Sequence, residues 1–237
     1  MKFIGLCLTL LLPLITEGQI EKVRMRYMDA TIAMGINQGT GSLLYGFDWR
    51  QGKKQKFGIG LGARFTSYIG SNQYYETAPA KLTSGSSGPG VIFTETITAN
   101  VDTLLIASPQ VNMFNIFINL TYPISEKLLL GFNIDAVGFS FGGSKPANYI
   151  NGFMGNVISA SPTSFNLLLI SDNDLGSLNS ELFLKYQWKA RWSLKGAVQF
   201  LFTEYTTITE VQQFPEPNDR FRNKSLLAAV GVSYRLQ

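Results

Sequence analysis

Chemical groups that enzymes commonly use are scarce in this sequence. It contains no histidine and a single cysteine, Cys7. Histidine is the usual general base, the commonest metal ligand and the side chain that titrates near neutral pH, so mechanisms that depend on it are excluded. A Ser–Lys or carboxylate-pair enzyme stays open, but no spacing of these residues indicates one. We therefore predict no enzymatic activity, no metal site and no cofactor.

The first residues have the layout of an export signal. Lys2 precedes a short apolar run over residues 3–15, and small or polar residues follow. The run is too short for a membrane helix, which needs about 20 residues. We predict a cleavable signal peptide over residues 1–18 and a periplasmic N-terminal segment over 19–28; an N-terminal core helix is the alternative. Cys7 would leave with the signal, so the mature chain would have no disulfide.

Charge is also scarce. Only 15% of the 237 residues are charged, whereas 45% are hydrophobic and 13% are aromatic. This composition is poor in charge for a surface that faces only water. No later stretch resembles an apolar helical span, so a membrane location would require a closed β-barrel, the other form that satisfies its own backbone polar groups.

Apolar residues alternate with other residues from position 29 to the end. Period-two alternation predicts strands; we place eight of them, at 29–38, 43–49, 56–70, 111–122, 127–141, 178–188, 192–206 and 225–236. The links after the second, fourth and sixth strands are tight. Long loops follow the third, fifth and seventh strands, and a short loop at 38–42 follows the first.

This layout predicts an all-β protein, an antiparallel up-and-down transmembrane β-barrel over residues 29–237. Short periplasmic turns on one rim and long extracellular loops on the other are typical of outer-membrane barrels. The loops also contain β-prone segments, an expected hairpin at 91–108 and a segment at 163–171. If these extend the barrel wall, the count rises to ten strands; if they stand free, their edges are open to a partner strand.

One strand shows two unlike faces. In residues 56–70, Phe57, Ile59 and Leu61 alternate with Gly58, Gly60 and Gly62. We interpret the glycine face as the inside of a narrow barrel, where bulky side chains from other strands fill the space. The segment 58–63 also fits a dinucleotide-binding fingerprint, but that motif must open a helix, and here a strand continues.

Two groups of side chains follow from this assignment of faces. Aromatic residues of the apolar face gather at strand ends near the tight turns and predict a membrane-interface girdle: Trp49, Phe57, Tyr122, Trp188, Trp192 and Tyr234. Charged residues of the other face predict a network inside the lumen: Asp48, Arg64, Asp135, Glu181, Lys185, Lys195 and Arg235. Buried charges must be paired, so we expect either a static network or a gate in which Arg64 exchanges acidic partners.

A basic cluster marks the link after the second strand. It contains Arg50, Lys53, Lys54 and Lys56, and such clusters often indicate nucleic acid. No aromatic residue that could stack on bases lies among them. We therefore interpret the cluster as a solvated turn and predict no nucleic-acid partner.

The signal peptide, the alternating strands, the girdle and a last strand LLAAVGVSYRLQ at 226–237 resemble small outer-membrane β-barrel families of Gram-negative bacteria, including the OmpX-like, OmpA-barrel-like and PorT-like groups. The resemblance implies outer-membrane lipid around the barrel and insertion by the outer-membrane assembly machinery. We expect a monomeric surface interaction or envelope-structural protein that binds a protein partner through loops 71–109 and 142–177, as in a secretion apparatus. The alternatives are a narrow gated channel or small-solute transporter, and a soluble lipocalin-like carrier.

Overall fold

The computed structural model describes residues 24–51, 56–86, 93–150, 157–169 and 174–236. The predicted signal peptide, residues 19–23 of the predicted segment 19–28, two lysines of the basic cluster and Gln237 lie outside these ranges. The described part is mostly strand, with one short helix, α1 (Ala80–Ser84), and one 3-10 turn (Thr98–Asn100). None of its helices has the length and apolar character needed to cross a membrane.

Thirteen strands form one antiparallel sheet. In chain order they are β1 (Arg24–Gly35), β2 (Gln38–Gln51), β3 (Phe57–Gly70), β4 (Gln73–Thr77), β5 (Thr103–Ile106), β6 (Gln110–Pro123), β7 (Leu128–Phe141), β8 (Lys145–Tyr149), β9 (Val157–Pro162), β10 (Phe165–Leu167), β11 (Leu178–Gln187), β12 (Trp192–Thr207) and β13 (Arg220–Arg235). The all-β antiparallel class is confirmed. The predicted totals of eight or ten strands are wrong for the sheet as a whole, because the long loops contribute five short strands.

The long strands pair in a closed circuit that we call the main ring. Its order is β1, β2, β3, β6, β7, β11, β12, β13 and back to β1. A closed ring leaves no free strand edge, so the backbone polar groups of the wall bond to one another. Its turn end lies where β2 is followed by β3, β6 by β7 through residues 124–127, and β11 by β12 through residues 188–191. Its loop end is the opposite end, where β3, β7 and β12 end.

A second closed circuit, the accessory ring, lies at the loop end. The strands β4, β5, β8 and β9 pair in that order between the distal ends of β13 and β12. Each of these four short strands is therefore paired on both sides. The expected open edges are wrong for them, and the expected hairpin in 91–108 is reduced to β5 alone in the described part. The short β10 pairs with β7.

Strand β1 and its turn differ from the sequence prediction. The strand begins at Arg24, inside the segment predicted to precede the barrel, and ends at Gly35. Ile36 and Asn37 form the turn, and Asn37 adopts a positive φ of 55°, which asparagine tolerates well. The predicted loop at 38–42 is therefore wrong, since these residues belong to β2. Gly39 and Gly41 lie in β2, but glycine is common in loops, so this part of the strand was predicted as a loop.

A β-bulge in β7 reverses one predicted orientation. Phe117 lies opposite Asp135, but Ile116 lies opposite Val137, which leaves Ala136 as an extra residue. An inserted residue shifts the alternation by one position, so side chains beyond it change face. Strict alternation from Asp135 predicts Val137 on the interior face, but the bulge leaves it exposed on the exterior.

The glycine face of β3 points into the main ring, where glycines give space to large side chains. A Cβ at Gly62 would overlap the Phe117 ring, and one at Gly131 would overlap the Phe183 ring. Both phenylalanines are buried. The interior is thus filled by rings that reach across from neighbouring strands.

We expect Gly131→Ala to destabilise the protein by about 1–3 kcal/mol, because the added methyl overpacks the interior against Phe183. The matched control is Gly196→Ala, since nothing lies within 4 Å of a Cβ at Gly196. Urea unfolding of the refolded protein in detergent measures both. Equal stability of the two variants would contradict the packing described here, and Phe183→Leu should partly restore Gly131→Ala.

Candidate functional site

Arg64 stands at the centre of a charged network inside the main ring. Its Nε donates to Asp135 Oδ1 at 3.0 Å and its Nη1 donates to Asn133 Oδ1 at 2.7 Å. Its Nη2 also bonds Asp135, and Nη1 lies 3.6 Å from Glu181 Oε2. Only 1% of the Arg64 side chain is exposed, so this guanidinium is held entirely by protein groups.

Two lysines extend the network towards the turn end. Lys195 Nζ lies 2.8 Å from Glu181 Oε2 and 3.3 Å from Asp29 Oδ2. Lys185 Nζ lies 2.9 Å from the same Asp29 oxygen. Asp29 therefore bridges both lysines, and three cations alternate with three carboxylates in one continuous chain. Such balance removes the net charge that a low-dielectric interior does not tolerate.

Buried amides add hydrogen bonds to two of these carboxylates. Asn115 Nδ2 donates to Asp135 Oδ2 at 2.7 Å, and Asn133 Nδ2 donates to Glu181 Oε2 at 3.2 Å. Asp29 and these asparagines are not among the predicted lumen residues, because that prediction used only charged residues on strands with clear alternation. Their signal was available, because Asn115 and Asn133 alternate with apolar residues and share the interior face.

The remaining predicted lumen residues lie nearer the turn end. Asp48 is buried and accepts a hydrogen bond from Asn119 Nδ2 at 2.8 Å. Arg235 is exposed at the last position of β13. The structure thus brings five of the seven predicted charges into one network, places Asp48 beside it and leaves Arg235 at the rim.

The predicted girdle residues surround the turn end. Phe57 begins β3, Trp192 begins β12, and Tyr122 lies next to the end of β6. The Trp192 and Tyr234 rings have centroids 4.8 Å apart. Trp49 lies near the end of β2, and Trp188 is exposed directly after β11. All six belong to one end of the ring, as the interpretation of an interface girdle requires.

A buried apolar cluster, the loop-end core, fills the opposite end of the interior. It joins residues of the main ring to residues of the accessory ring: Tyr68, Tyr75, Leu104, Ile106, Val111, Met113, Leu201, Tyr205, Phe221 and Leu227. Tyr75 and Tyr205 pack edge to face with centroids 5.2 Å apart. The two rings therefore share one continuous core.

Polar contacts also hold segments in place at the loop end. Glu204 is buried and accepts hydrogen bonds from Arg220 Nε and Arg222 Nη2, both at 2.8 Å. Both arginines also donate to the backbone carbonyl of Asp174, which holds the segment before β11 against the wall. In β8, burial and a hydrogen bond to Asp102 raise the pKa of the Tyr149 hydroxyl, which therefore remains a donor.

Chemistry beyond ion pairing finds little support in this arrangement. Within the described ranges, no three His, Cys, Asp or Glu side chains are grouped to hold a metal ion. The interior carboxylates are occupied by lysines, arginines and amides.

No family model and no curated protein matches the chain. Among solved structures, the outer-membrane protein Ail of Yersinia pestis in a phospholipid nanodisc is similar over 90% of this chain and 100% of Ail, with 8% identity and a TM-score of 0.40. Neisserial surface protein A is similar over 92% of this chain and 99% of its own, with 9% identity and a TM-score of 0.35. At such low scores the fold assignment rests on the strand pairings.

We expect Arg64→Met to cost about 3–5 kcal/mol of stability, because it leaves Asp135 and Glu181 buried without the guanidinium. Asp135→Asn should also destabilise, and the double variant should cost less than the sum of the two single variants. Urea unfolding in detergent measures all three. The matched control is the exposed pair Lys81–Glu216, 3.1 Å apart, whose removal should cost less than about 1 kcal/mol. Additive costs at Arg64 and Asp135 would contradict the described network.

Proposed function

We propose that the chain is a non-enzymatic β-barrel of the bacterial outer membrane that presents its accessory ring at the cell surface. The observation that carries the proposal is the distribution of polarity across the main-ring wall. Outward side chains are large and apolar, and many remain exposed: Met34 is 69% exposed, Ile69 is 62% and Val230 is 69%. Inward side chains carry the ion pairs. Acyl chains would cover such an exterior at no cost in polar desolvation.

The turn end supports an orientation. In outer-membrane barrels the short turns face the periplasm and the extended loops face outside. The aromatic girdle then lies at the periplasmic boundary of the membrane, where amphipathic rings are favoured. A chain in this orientation would be exported and inserted by the outer-membrane assembly machinery.

The filled interior favours a surface or structural role over transport. The loop-end core occupies the interior with buried tyrosines, leucines and phenylalanine. A narrow gated channel would need the core and the charge network below it to separate together. A lipocalin-like carrier would need an apolar interior and a polar exterior, the reverse of this wall.

The exposed tips of the loop end support a protein partner. Ile208 is 78% exposed, Phe93 is 87% exposed, and Ile36 lies in the β1–β2 turn at the same end. Apolar groups at loop tips are costly in water and typical of contact surfaces. We propose that a monomer binds its partner here, with loops 71–109 and 142–177 contributing; a place in a secretion apparatus is one role such a surface serves.

Cysteine labelling tests the orientation, because the predicted mature chain has no cysteine. In intact cells, a membrane-impermeant maleimide should label Ile208→Cys at the loop end. It should label Lys189→Cys, in the turn at 188–191, only after the outer membrane is permeabilised. If only Lys189→Cys is labelled in intact cells, the turn end faces outside and the proposed orientation is wrong. Recovery of the protein in the soluble fraction would contradict the membrane location.

Conductance in planar bilayers separates the surface role from the channel. We expect the purified barrel to show no unitary conductance, because the loop-end core blocks the interior. Arg64→Met should remain silent if its refolded form keeps the core. Steady single-channel steps in the unchanged protein that disappear or alter in Arg64→Met would contradict the proposal and support the gate.

A further inference from the structure

A cavity of about 290 Å³ opens at the turn end of the main ring, directly below the interior charge network. We call it the vestibule. Seven of the eight main-ring strands contribute to its lining, together with the turn at 124–127. The vestibule is therefore a feature of the closed barrel and does not exist in any single hairpin.

Positive charge dominates the lining of the vestibule. Its cationic residues are Arg26, Arg50, Lys127, Lys185 and Arg235. Among the described lining residues, the acidic ones are Asp48 and Glu126. Lys185 is already paired with Asp29 at 2.9 Å, whereas Arg26 and Arg235 form no ion pair within the described ranges. The vestibule thus carries a surplus of positive charge that the rest of the interior lacks.

Arg50 supplies a donor that still needs an acceptor. Its Nε is buried and has no hydrogen-bond partner in the described part of the chain. A buried donor without an acceptor is costly, so an arginine in this situation favours a bound anion. Arg235 lines the same cavity from β13, and Ser193 adds a hydroxyl from β12. Guanidinium groups match the geometry of phosphate oxygens and bind them through paired hydrogen bonds.

We propose that the vestibule binds a phosphate group, carried either by a small soluble anion or by a lipid headgroup. The cavity volume lies at the lower limit of ligand pockets, which fits a group of this size. The site would bind from the turn side, and the interior network above it prevents passage. Its occupancy does not depend on what the loop end binds, so this proposal can fail while the surface role stands.

Binding of two probes tests the proposal with the full-length mature barrel in a phosphate-free maltoside detergent. Inorganic phosphate is titrated by calorimetry in 150 mM NaCl, which screens non-specific attraction. Phosphatidylglycerol added to the micelles is the second probe. We expect saturable binding of one probe. Its affinity should fall about tenfold in Arg50→Gln and in Arg235→Gln, because each variant loses one charge-assisted hydrogen bond to the phosphate group.

Lys189→Gln is the matched control, because it removes one positive charge from the same rim outside the vestibule. Arg235 is exposed, so Arg235→Gln should fold even if Arg50→Gln does not; heat-modifiable migration on a gel checks both. Saturable phosphate binding identifies a soluble anion as the source, and binding of phosphatidylglycerol alone identifies a headgroup. No saturable binding of either probe, or equal weakening by Lys189→Gln, would overturn the proposal.

Discussion

Closure of the sheet between β1 and β13 is the constraint on which the rest of the structure depends. The two strands pair from Tyr27 opposite Arg235 to Met34 opposite Ala228. Once the wall has no edge, its backbone groups need no water, and the side chains alone decide what each face contacts. The outward face is then free to be apolar. The inward face is free to carry charges, provided that they neutralise one another at short range.

The interior solves two problems at once, those of charge and of volume. Three cations and three carboxylates cancel, and Asn115 bonds the Asp135 oxygen that Arg64 does not reach. Gly62 on β3 gives space to the Phe117 ring of β6, and Gly131 on β7 gives space to the Phe183 ring of β11. The interior of a narrow barrel must have little net charge and must be closely packed. Polar residues, aromatic residues and glycines therefore occur along the same face.

Much of the wall could be predicted from the sequence, because alternation with period two is a local signal. Each predicted strand overlaps a strand of the main ring, and the interior positions of Arg64, Asp135 and Glu181 followed from parity. Alternation gave the wrong face for Val137, because the sequence shows no sign of the β-bulge before it. The β1–β2 turn was misplaced because the glycines at the start of β2 resemble a loop. The accessory ring was beyond prediction, because its strands are only four to six residues long and most of their partners are distant in the chain.

The last two strands serve both rings, and this has a consequence for biogenesis. β12 and β13 come after every other described strand in the sequence, yet the accessory ring closes only against their distal ends. The strands β4, β5, β8 and β9 therefore cannot complete their pairing until this hairpin is in place. A reagent that binds the folded loop end would distinguish chains that contain the hairpin from chains that lack it.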